Sequence, residues 1–182
     1  MRIISGTRRG QKLFEFDGMD IRPTTDRVRE SLFNLIQNFV PEAKVLDLFG
    51  GSGALSLEAL SRGASEAAVC DIDKRSLELI KKNTAALRFE DRLTVIRQSA
   101  EQYLKSTKEK FDIIFLDPPY NKGYIKPIIT AIVSGDILSG GGIIVLESDG
   151  TDEHGDFDGL DTIKQRKYGR TYITVYQRGD KG

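Results

Sequence analysis

The sequence predicts an α/β fold in which a sheet of seven mostly parallel strands carries helices on both faces. From residue 43 onward, short apolar runs alternate with segments whose apolar residues recur every three or four positions. This alternation is typical of repeated βα units with right-handed crossovers. The last two apolar runs are separated by Tyr168-Gly169-Arg170, a turn that predicts an antiparallel hairpin at the end of the sheet.

An N-terminal extension precedes this pattern. Residues 2–5 and 11–16 are predicted to pair as a short β-hairpin around a basic loop at 6–10. Residues 24–39 are predicted to form a helix that Thr24 or Thr25 caps and Pro41 ends. The apolar face of this helix consists of residues at helical spacing, namely Val28, Leu32, Leu35, Ile36 and Phe39.

The core elements follow in order. The predicted strands are 43–49, 67–71, 93–97, 111–116, 143–148, 160–167 and 171–178, and the predicted helices are 53–62, 74–88, 99–108 and 124–134. Residues 140–142 are interpreted as a glycine turn and residues 149–159 as an exposed acidic loop. We expect a single domain over residues 1–182, with a hairpin and helix extension at 1–40 and a Rossmann-like core at 41–182.

Composition excludes several classes of protein. With 39% hydrophobic residues the chain is not an acidic disordered tail. Its one cysteine, Cys70, and one histidine, His154, exclude a disulfide framework and a Cys- or His-based metal site. No apolar stretch is long enough for a membrane span, and no apolar signal core occurs at the N-terminus. We therefore expect a cytoplasmic protein without a metal or a membrane partner, and a monomer.

A glycine-rich turn follows the first core strand. The segment 47–53, Asp-Leu-Phe-Gly-Gly-Ser-Gly, allows a tight turn and close backbone approach to a ligand. The second strand ends at Asp71, where a carboxylate can accept hydrogen bonds from ribose hydroxyls. The glycine spacing is not that of the dinucleotide fingerprint, and Asp47 would repel a pyrophosphate but attract a cation. The turn therefore suits S-adenosylmethionine, which carries a sulfonium, an ammonium and a ribose, better than NAD.

The end of the third strand provides a further candidate contact. Ser99 and Ala100 follow that strand, where a side-chain acceptor could meet an adenine amino group, although serine is also a common helix N-cap. The candidate cofactor-binding residues are Asp47, Phe49, Gly50, Gly51, Ser52, Gly53, Asp71, Ile72, Ser99 and Ala100.

The most specific motif is Asp117-Pro118-Pro119-Tyr120, which follows the fourth strand. Two consecutive prolines remove two N–H donors, and their carbonyls remain free to accept. Together with the carboxylate of Asp117 and the ring of Tyr120, they form a slot that suits an exocyclic amine on a planar base. These acceptors would aim the nitrogen lone pair at a methyl group, and Asp117 would stabilise the positive charge that develops. All four residues are therefore candidate catalytic residues.

With both motifs in place, the chain resembles the class I S-adenosylmethionine-dependent methyltransferases and, among them, the RsmD-type 16S ribosomal RNA guanine-N2 methyltransferases. The resemblance covers nearly the full length and is carried by residues 2–6, 9–10, 22–34, 47–53, 57–64, 117–120 and 168–169. It implies that S-adenosylmethionine is the cofactor, that 117–120 hold a guanine, and that 22–30 flank the active site. It also implies 16S ribosomal RNA or the small ribosomal subunit as the substrate.

The distribution of charge along the chain is relevant to how the protein would bind RNA. The net charge is zero, but residues 1–12 hold four basic residues and no acid, and residues 147–161 hold seven acids and no base. If the N-terminal hairpin lies beside Asp117, it is a local patch that faces RNA. The candidate RNA contacts are Arg8, Arg9, Arg22, Thr24, Arg27 and Arg29.

Three other functions compete with this interpretation. A DNA adenine-N6 methyltransferase would also suit the motif at 117–120, but the chain has no insertion that could serve as a DNA-recognition domain. A nicotinamide-dependent oxidoreductase is disfavoured by the glycine spacing. A non-enzymatic S-adenosylmethionine-binding assembly factor of the ribosome would have no need of the slot at 117–120.

Overall fold

Strands and helices alternate along the chain, as the sequence predicts. The strands are β1 (Lys44–Asp47), β2 (Glu66–Cys70), β3 (Leu93–Ile96), β4 (Phe111–Leu116), β5 (Leu138–Ser148), β6 (Leu160–Tyr168) and β7 (Thr171–Arg178). The helices are α1 (Asp26–Leu35), α2 (Ala54–Ser61), α3 (Lys74–Leu87), α4 (Ala100–Ser106) and α5 (Ile125–Ser134). The computed structural model describes residues 1–16, 26–119, 123–150 and 156–179. Within those ranges no helix has the length and apolar content that crossing a membrane requires.

The seven strands form one sheet in the order β3-β2-β1-β4-β5-β7-β6. Strands β1 to β5 pair in parallel, and β7 runs antiparallel to both of its neighbours. This arrangement confirms the predicted mostly parallel sheet with an antiparallel hairpin. Because β1 to β5 run in one direction, the loops that follow them meet at a single edge of the sheet, which we call the site edge.

Helices cover both faces of the sheet, because alternate residues of each central strand point to opposite sides. Val45 of β1 packs in a cluster with α1, α2, α3 and residues of the N-terminal segment. The next residue, Leu46, packs in a second cluster with α4 and α5. The central strands are therefore buried on both faces, which explains why they are almost wholly apolar in sequence.

The N-terminal extension is less regular than predicted. Residues 1–13 do fold back on themselves, but through one isolated antiparallel bridge, between Arg2 and Lys12, rather than through two strands. The helix α1 ends at Leu35 instead of residue 39, because the amide of Phe39 bonds the Ile36 carbonyl in a tighter turn. The Leu35 carbonyl instead accepts a hydrogen bond from Lys164, at 2.6 Å. Residues 24 and 25 lie outside the described residues.

The prediction of a turn at residues 140–142 is wrong. Strand β5 begins at Leu138 and continues through all three glycines to Ser148. Its pairing with β4 shifts register within this stretch, where Gly141 has a φ of 72°. The glycines therefore form an irregularity inside the strand, which they accommodate because glycine adopts positive φ without steric cost.

Candidate active site

A cavity of about 470 Å³ opens at the site edge. The loops after β1, β2, β3 and β4 and the end of β5 all contribute to it, so the topology gathers residues that are far apart in sequence. Its walls consist of Leu48, Phe49, Gly51, Asp71, Ile72, Gln98, Ser99, Ala100, Glu101, Asp117, Pro118, Pro119, Tyr124 and Glu147. The two predicted motifs, the glycine turn and the Asp-Pro-Pro segment, therefore face one space.

The glycines of the turn have different functions. Gly51 lines the cavity with a φ of 53°, and a Cβ built on it would meet no protein atom within 4 Å. Gly50 is buried behind the turn, and a Cβ there would lie 2.4 Å from a methyl group of Val69. Gly53 has a φ of 78° and is the N-cap of α2. Gly51 therefore leaves backbone open to a ligand, whereas Gly50 lets the turn pack against β2.

Asp71 lies at the end of β2, on the cavity wall. One of its carboxylate oxygens accepts a hydrogen bond from the Gly51 amide at 3.0 Å, and the other accepts one from the Asp73 amide at 2.8 Å. These bonds orient the carboxylate, and each oxygen keeps a lone pair for a further donor. Ile72, the next residue, also lines the cavity and is 66% exposed. A ligand with a diol next to an aromatic ring would fit here, with the diol at Asp71 and the ring at Ile72.

Asp47 does not line the cavity. Its side chain is 1% exposed, and its carboxylate accepts hydrogen bonds from the Ser56 hydroxyl at 3.1 Å and from the Phe49 amide at 3.4 Å. Burial raises the pKa of this carboxyl to about 6, with a further contribution from the charge of Asp71. The structure thus places Asp47 beneath the glycine turn, where it holds the turn to α2. Gly50 and Gly53 likewise act through the shape of the turn, and Ser52 accepts a hydrogen bond from Asn83 through its carbonyl.

Ser99 and Ala100 lie on the cavity wall beyond β3. The Ser99 hydroxyl accepts a hydrogen bond from the Gln102 amide at 3.2 Å, and the Gln102 side chain accepts one from the Ser99 amide at 3.1 Å. This capping box fixes the start of α4. It also leaves the helix N-terminus, Gln98 and Glu101 facing the same cavity.

Asp117 is partly buried at the end of β4, with Pro118 and Pro119 beside it on the cavity wall. Desolvation raises the pKa of the Asp117 carboxyl well above its usual range, and the nearby charges of Glu147 and Asp47 raise it further. Tyr120, the fourth residue of the motif, lies outside the described residues. The described part of the motif therefore offers a carboxyl group in a poorly hydrated, acid-rich environment.

Five wall residues were not among the predicted site residues, namely Leu48, Gln98, Glu101, Tyr124 and Glu147. Leu116 pairs with Leu146, so Asp117 and Glu147 are the next residues on adjacent parallel strands. Glu147 is 5% exposed, and an acid at the end of an apolar strand is the signal that could have identified it. Tyr124 lines the cavity at the start of α5, and its ring lies 6.0 Å from that of Phe49. Nothing in the local sequence distinguishes it from a surface tyrosine.

The structure contradicts the predicted RNA contact of Arg29. Its side chain is fully buried, donates hydrogen bonds to the Arg2 carbonyl and to Asp26, and pairs with buried Glu58 at 3.8 Å. A side chain enclosed in this way cannot reach a substrate. Arg27, by contrast, is exposed in the first turn of α1, and its contact stays a prediction. Arg22 and Thr24 lie outside the described residues.

The basic loop at 6–10 does not lie beside Asp117 either. The Arg8 guanidinium donates to the Leu87 carbonyl at 2.7 Å, and the Arg8 amide donates to Ser61 at 3.0 Å. Ser61 and Leu87 are the last residues of α2 and α3, which begin at the site edge and run away from it. Arg8 and its exposed neighbour Arg9 are therefore at the opposite edge of the sheet, and the expected patch of positive charge beside the site is not formed by this loop.

Comparisons with known proteins identify the family. A family model described as "Conserved hypothetical protein 95" matches residues 1–177. "Ribosomal RNA small subunit methyltransferase D" of Escherichia coli is 34% identical over 100% of this chain and 92% of its own length. The chain belongs to this family. The resemblance stated from the sequence is thereby confirmed.

Another relative and two solved structures are also similar to this chain. YlbH of Bacillus subtilis, described provisionally as an rRNA methyltransferase, is 38% identical over 98% of this chain and 99% of its own. A solved structure of yhhF from Escherichia coli, described provisionally as a methyltransferase, superposes with a TM-score of 0.87 at 35% identity and covers 98% of this chain and 97% of its own. More distantly, a solved structure of SMU.776, described as complexed with SAH, shares the fold with a TM-score of 0.67 at 20% identity, over 83% of this chain and 48% of its own.

Proposed function

We propose that this protein transfers a methyl group from S-adenosylmethionine to the exocyclic N2 amine of a guanine in 16S ribosomal RNA. One observation carries the proposal: Asp117, Pro118, Pro119 and Glu147 share a single cavity with the glycine turn and Asp71. Membership of the small subunit methyltransferase D family supports ribosomal RNA as the substrate. The site of action would be the cytoplasm, during maturation of the small ribosomal subunit.

The residues of the glycine turn fit the proposed cofactor. The open backbone at Gly51 would accommodate the methionine moiety. The oriented carboxylate of Asp71 would accept hydrogen bonds from the ribose diol, and the exposed side chain of Ile72 would pack against the adenine ring. Ser99, Ala100 and the start of α4 would lie along the far side of the adenine. When bound, S-adenosylmethionine supplies a methyl group on a positively charged sulfur. The carboxylates around the cavity favour such a cation electrostatically.

Two carboxyl groups at the ends of β4 and β5 favour guanine over adenine. The hydrogen-bonding edge of guanine presents two adjacent donors, N1–H and the N2 amine, whereas that of adenine presents one amine beside the N1 acceptor. Carboxylates accept hydrogen bonds when ionised, and the positive charge of a bound S-adenosylmethionine would favour the ionised form against the effect of burial. In that form Asp117 and Glu147 would match both guanine donors. An ionised carboxylate facing adenine N1 would leave two acceptors opposed.

The same carboxyl groups suit the chemistry. The amine nitrogen donates its lone pair to the methyl carbon as the carbon–sulfur bond breaks, and the nitrogen then releases one proton. Positive charge develops on that nitrogen, and Asp117 is placed to stabilise it. A carboxyl whose pKa is raised by burial also holds the released proton more readily than an exposed one. A base held inside duplex RNA is unreachable, so the target guanine must be unpaired or flipped out.

The test is to incubate the protein with labelled S-adenosylmethionine and, in parallel, small ribosomal subunits, naked 16S RNA and duplex DNA. The labelled nucleoside is then identified, and we expect N2-methylguanosine from one of the RNA substrates. Label in N6-methyladenine would instead assign an adenine methyltransferase. Absence of transfer with intact cofactor binding would assign a non-enzymatic assembly factor.

Variants connect the activity with the site. Asp117→Asn should reduce the transfer rate by roughly 100-fold or more, because it removes the charge opposite the reacting nitrogen, while S-adenosylmethionine binding measured by calorimetry persists. Glu147→Gln should lower the preference for guanine over other acceptors. Glu90→Gln, at an exposed position outside the cavity, is the matched control. Loss of cofactor binding in Asp117→Asn would show that Asp117 belongs to the cofactor site instead.

A further inference from the structure

A basic hairpin tip lies at the site edge. Ser148, the last residue of β5, pairs with Tyr172 of β7, and Tyr168 of β6 pairs with Thr171. Since β5 ends at the site edge, β6 also ends there and β7 begins there. The turn at residues 168–170 therefore points in the same direction as the loops that line the cavity.

The chemistry of this tip suits a polyanion. Arg166, Lys167 and Arg170 are all exposed, and residues 162–179 contain no acid. Tyr168 and Tyr172 are partly exposed between these cations, and the Lys167 ammonium lies 5.0 Å from the centre of the Tyr172 ring. Cations interleaved with aromatic rings are typical of surfaces that bind single-stranded nucleic acid.

The tip is also close enough to the cavity to act with it. β7 and β6 are the second and third strands from β4, which corresponds to about 10 and 14 Å at normal strand spacing. Phosphates of the chain that carries the target base would lie within this range. Asp161, at the end of the acidic stretch, lies away from the tip, because it pairs with Gln177 at the opposite end of the hairpin. Asp149, near the start of that stretch, follows β5 at the site edge.

We propose that this basic hairpin tip, formed by Arg166, Lys167 and Arg170, binds the phosphate backbone of the RNA that flanks the target nucleotide. The inference rests on the proposed function and adds the surface that holds the substrate. The tip takes the place that the sequence analysis gave to Arg8 and Arg9, which lie at the opposite edge. Phosphate contacts of this kind position an RNA without reading its sequence.

The test compares two triple variants that remove the same charge. Arg166→Gln/Lys167→Gln/Arg170→Gln alters the tip, and Arg9→Gln/Arg88→Gln/Lys105→Gln alters exposed cations at the opposite edge. The tip variant should raise the KM for RNA by about tenfold, with kcat within about twofold, and should reduce the slope of log KM against log salt by about 2. The control variant should leave all three quantities as in the wild type. Direct binding of fluorescent 16S RNA should follow the same pattern.

The outcomes separate the two proposals. If the wild type makes no N2-methylguanosine, the proposed function fails, and RNA binding by the two variants still decides the surface. If the wild type is active and the tip variant behaves like its control, the tip proposal alone fails. The tip proposal also fails if the tip variant has a lower kcat but an unchanged KM and an unchanged salt slope. Arg170→Glu, in the turn and outside both strands, serves as a second variant if the triple change reduces thermal stability.

Discussion

Asp47 shows how a single acid in a sequence motif can act through the fold rather than at the ligand. Next to a glycine turn it resembles a direct contact for a cation, and the sequence analysis placed it there. In the structure, Ser56 and the Phe49 amide hold its carboxylate beneath the turn. The sequence could locate the turn and the chemistry, because both depend on local spacing. It could not tell which side of the turn each side chain occupies, because that depends on how α2 packs.

The buried carboxyl of Asp47 should make stability depend on pH. Its pKa is raised from 3.8 to about 6 in the folded protein, so the folded state binds a proton more tightly than the unfolded state. Asp47 therefore destabilises the protein progressively as pH rises from about 4 to 6, and by a constant amount above that. Asp47→Asn cannot ionise, and its free energy of unfolding relative to the wild type should rise by roughly 3 kcal/mol over this interval. Urea unfolding at pH 4 and pH 7 measures the difference.

The control for this prediction is Asp91→Asn, at an exposed position. Its stability relative to the wild type should stay nearly constant across the same pH interval. A constant difference for Asp47→Asn as well would contradict the assignment of a raised pKa to Asp47.

At the scale of elements, the glycine turn depends on its contact with β2 and α3. A Cβ at Gly50 would lie 2.4 Å from Val69 Cγ1 and 2.9 Å from Ile80 Cδ1, both in the core. Gly50→Ala should therefore destabilise the protein by about 1–3 kcal/mol and weaken S-adenosylmethionine binding, because the turn must move. Thermal unfolding and calorimetry measure the two effects. In Gly140→Ala the added Cβ would meet no atom within 4 Å, so neither stability nor cofactor binding should change. If the two variants behaved alike, the packing role of Gly50 would be refuted.

A buried network of charged side chains connects the N-terminal extension to the core. Glu58 of α2 is fully buried, accepts hydrogen bonds from the amides of Ile4 and Ser5 at 2.8 and 3.0 Å, and pairs with Arg62 and Arg29. Burial lowers the pKa of the Arg29 guanidinium, while the charge of Glu58 acts in the opposite direction. The network therefore joins α1, α2 and residues 1–5 in addition to the apolar cluster that these segments share.

Removing the charge of Glu58 should be costly. Glu58→Gln removes one of the two carboxylates that pair with the buried Arg29 guanidinium and the buried partner of Arg62, and we expect a loss of about 3–5 kcal/mol in the free energy of unfolding. Urea denaturation measures this loss. Glu78→Gln removes one partner of the exposed pair with Lys74 and should change stability by less than about 0.5 kcal/mol. If the two variants were equally stable, the network would not hold the extension.

Elements were predictable to the extent that their apolar pattern is local. Strand β4 and strand β7 have the predicted bounds, because both are continuous apolar or alternating runs. Helix α1 and strand β5 differ at their ends, where a side chain from β6 and a glycine irregularity decide the outcome. The first of these contacts joins residues 129 positions apart, and the second depends on pairing between two different strands. A local sequence pattern records neither.

For the whole molecule, the segregation of charge was predictable from the sequence, but the position of the charged segments relative to the cavity was not. Basic residues outnumber acids both in 1–12 and in 162–182, but only the topology shows that residues 6–10 pack at the ends of α2 and α3 while the hairpin tip points the other way. Glu147 is a similar case, since its place beside Asp117 follows from the pairing of β4 with β5. The parts of the site that lie within one motif were predictable, and the parts assembled across strands were not.

The position of β7 has a consequence for the order in which the protein can assemble. β7 follows β6 in the chain but lies between β5 and β6 in the sheet. During synthesis β6 therefore emerges before the strand it pairs with, and the free edge of β5 stays open until β7 has left the ribosome. An unpaired strand edge invites association with other chains. The backbone edge of β5 is therefore unpaired until β7 reaches it, and the basic hairpin tip forms only in that step.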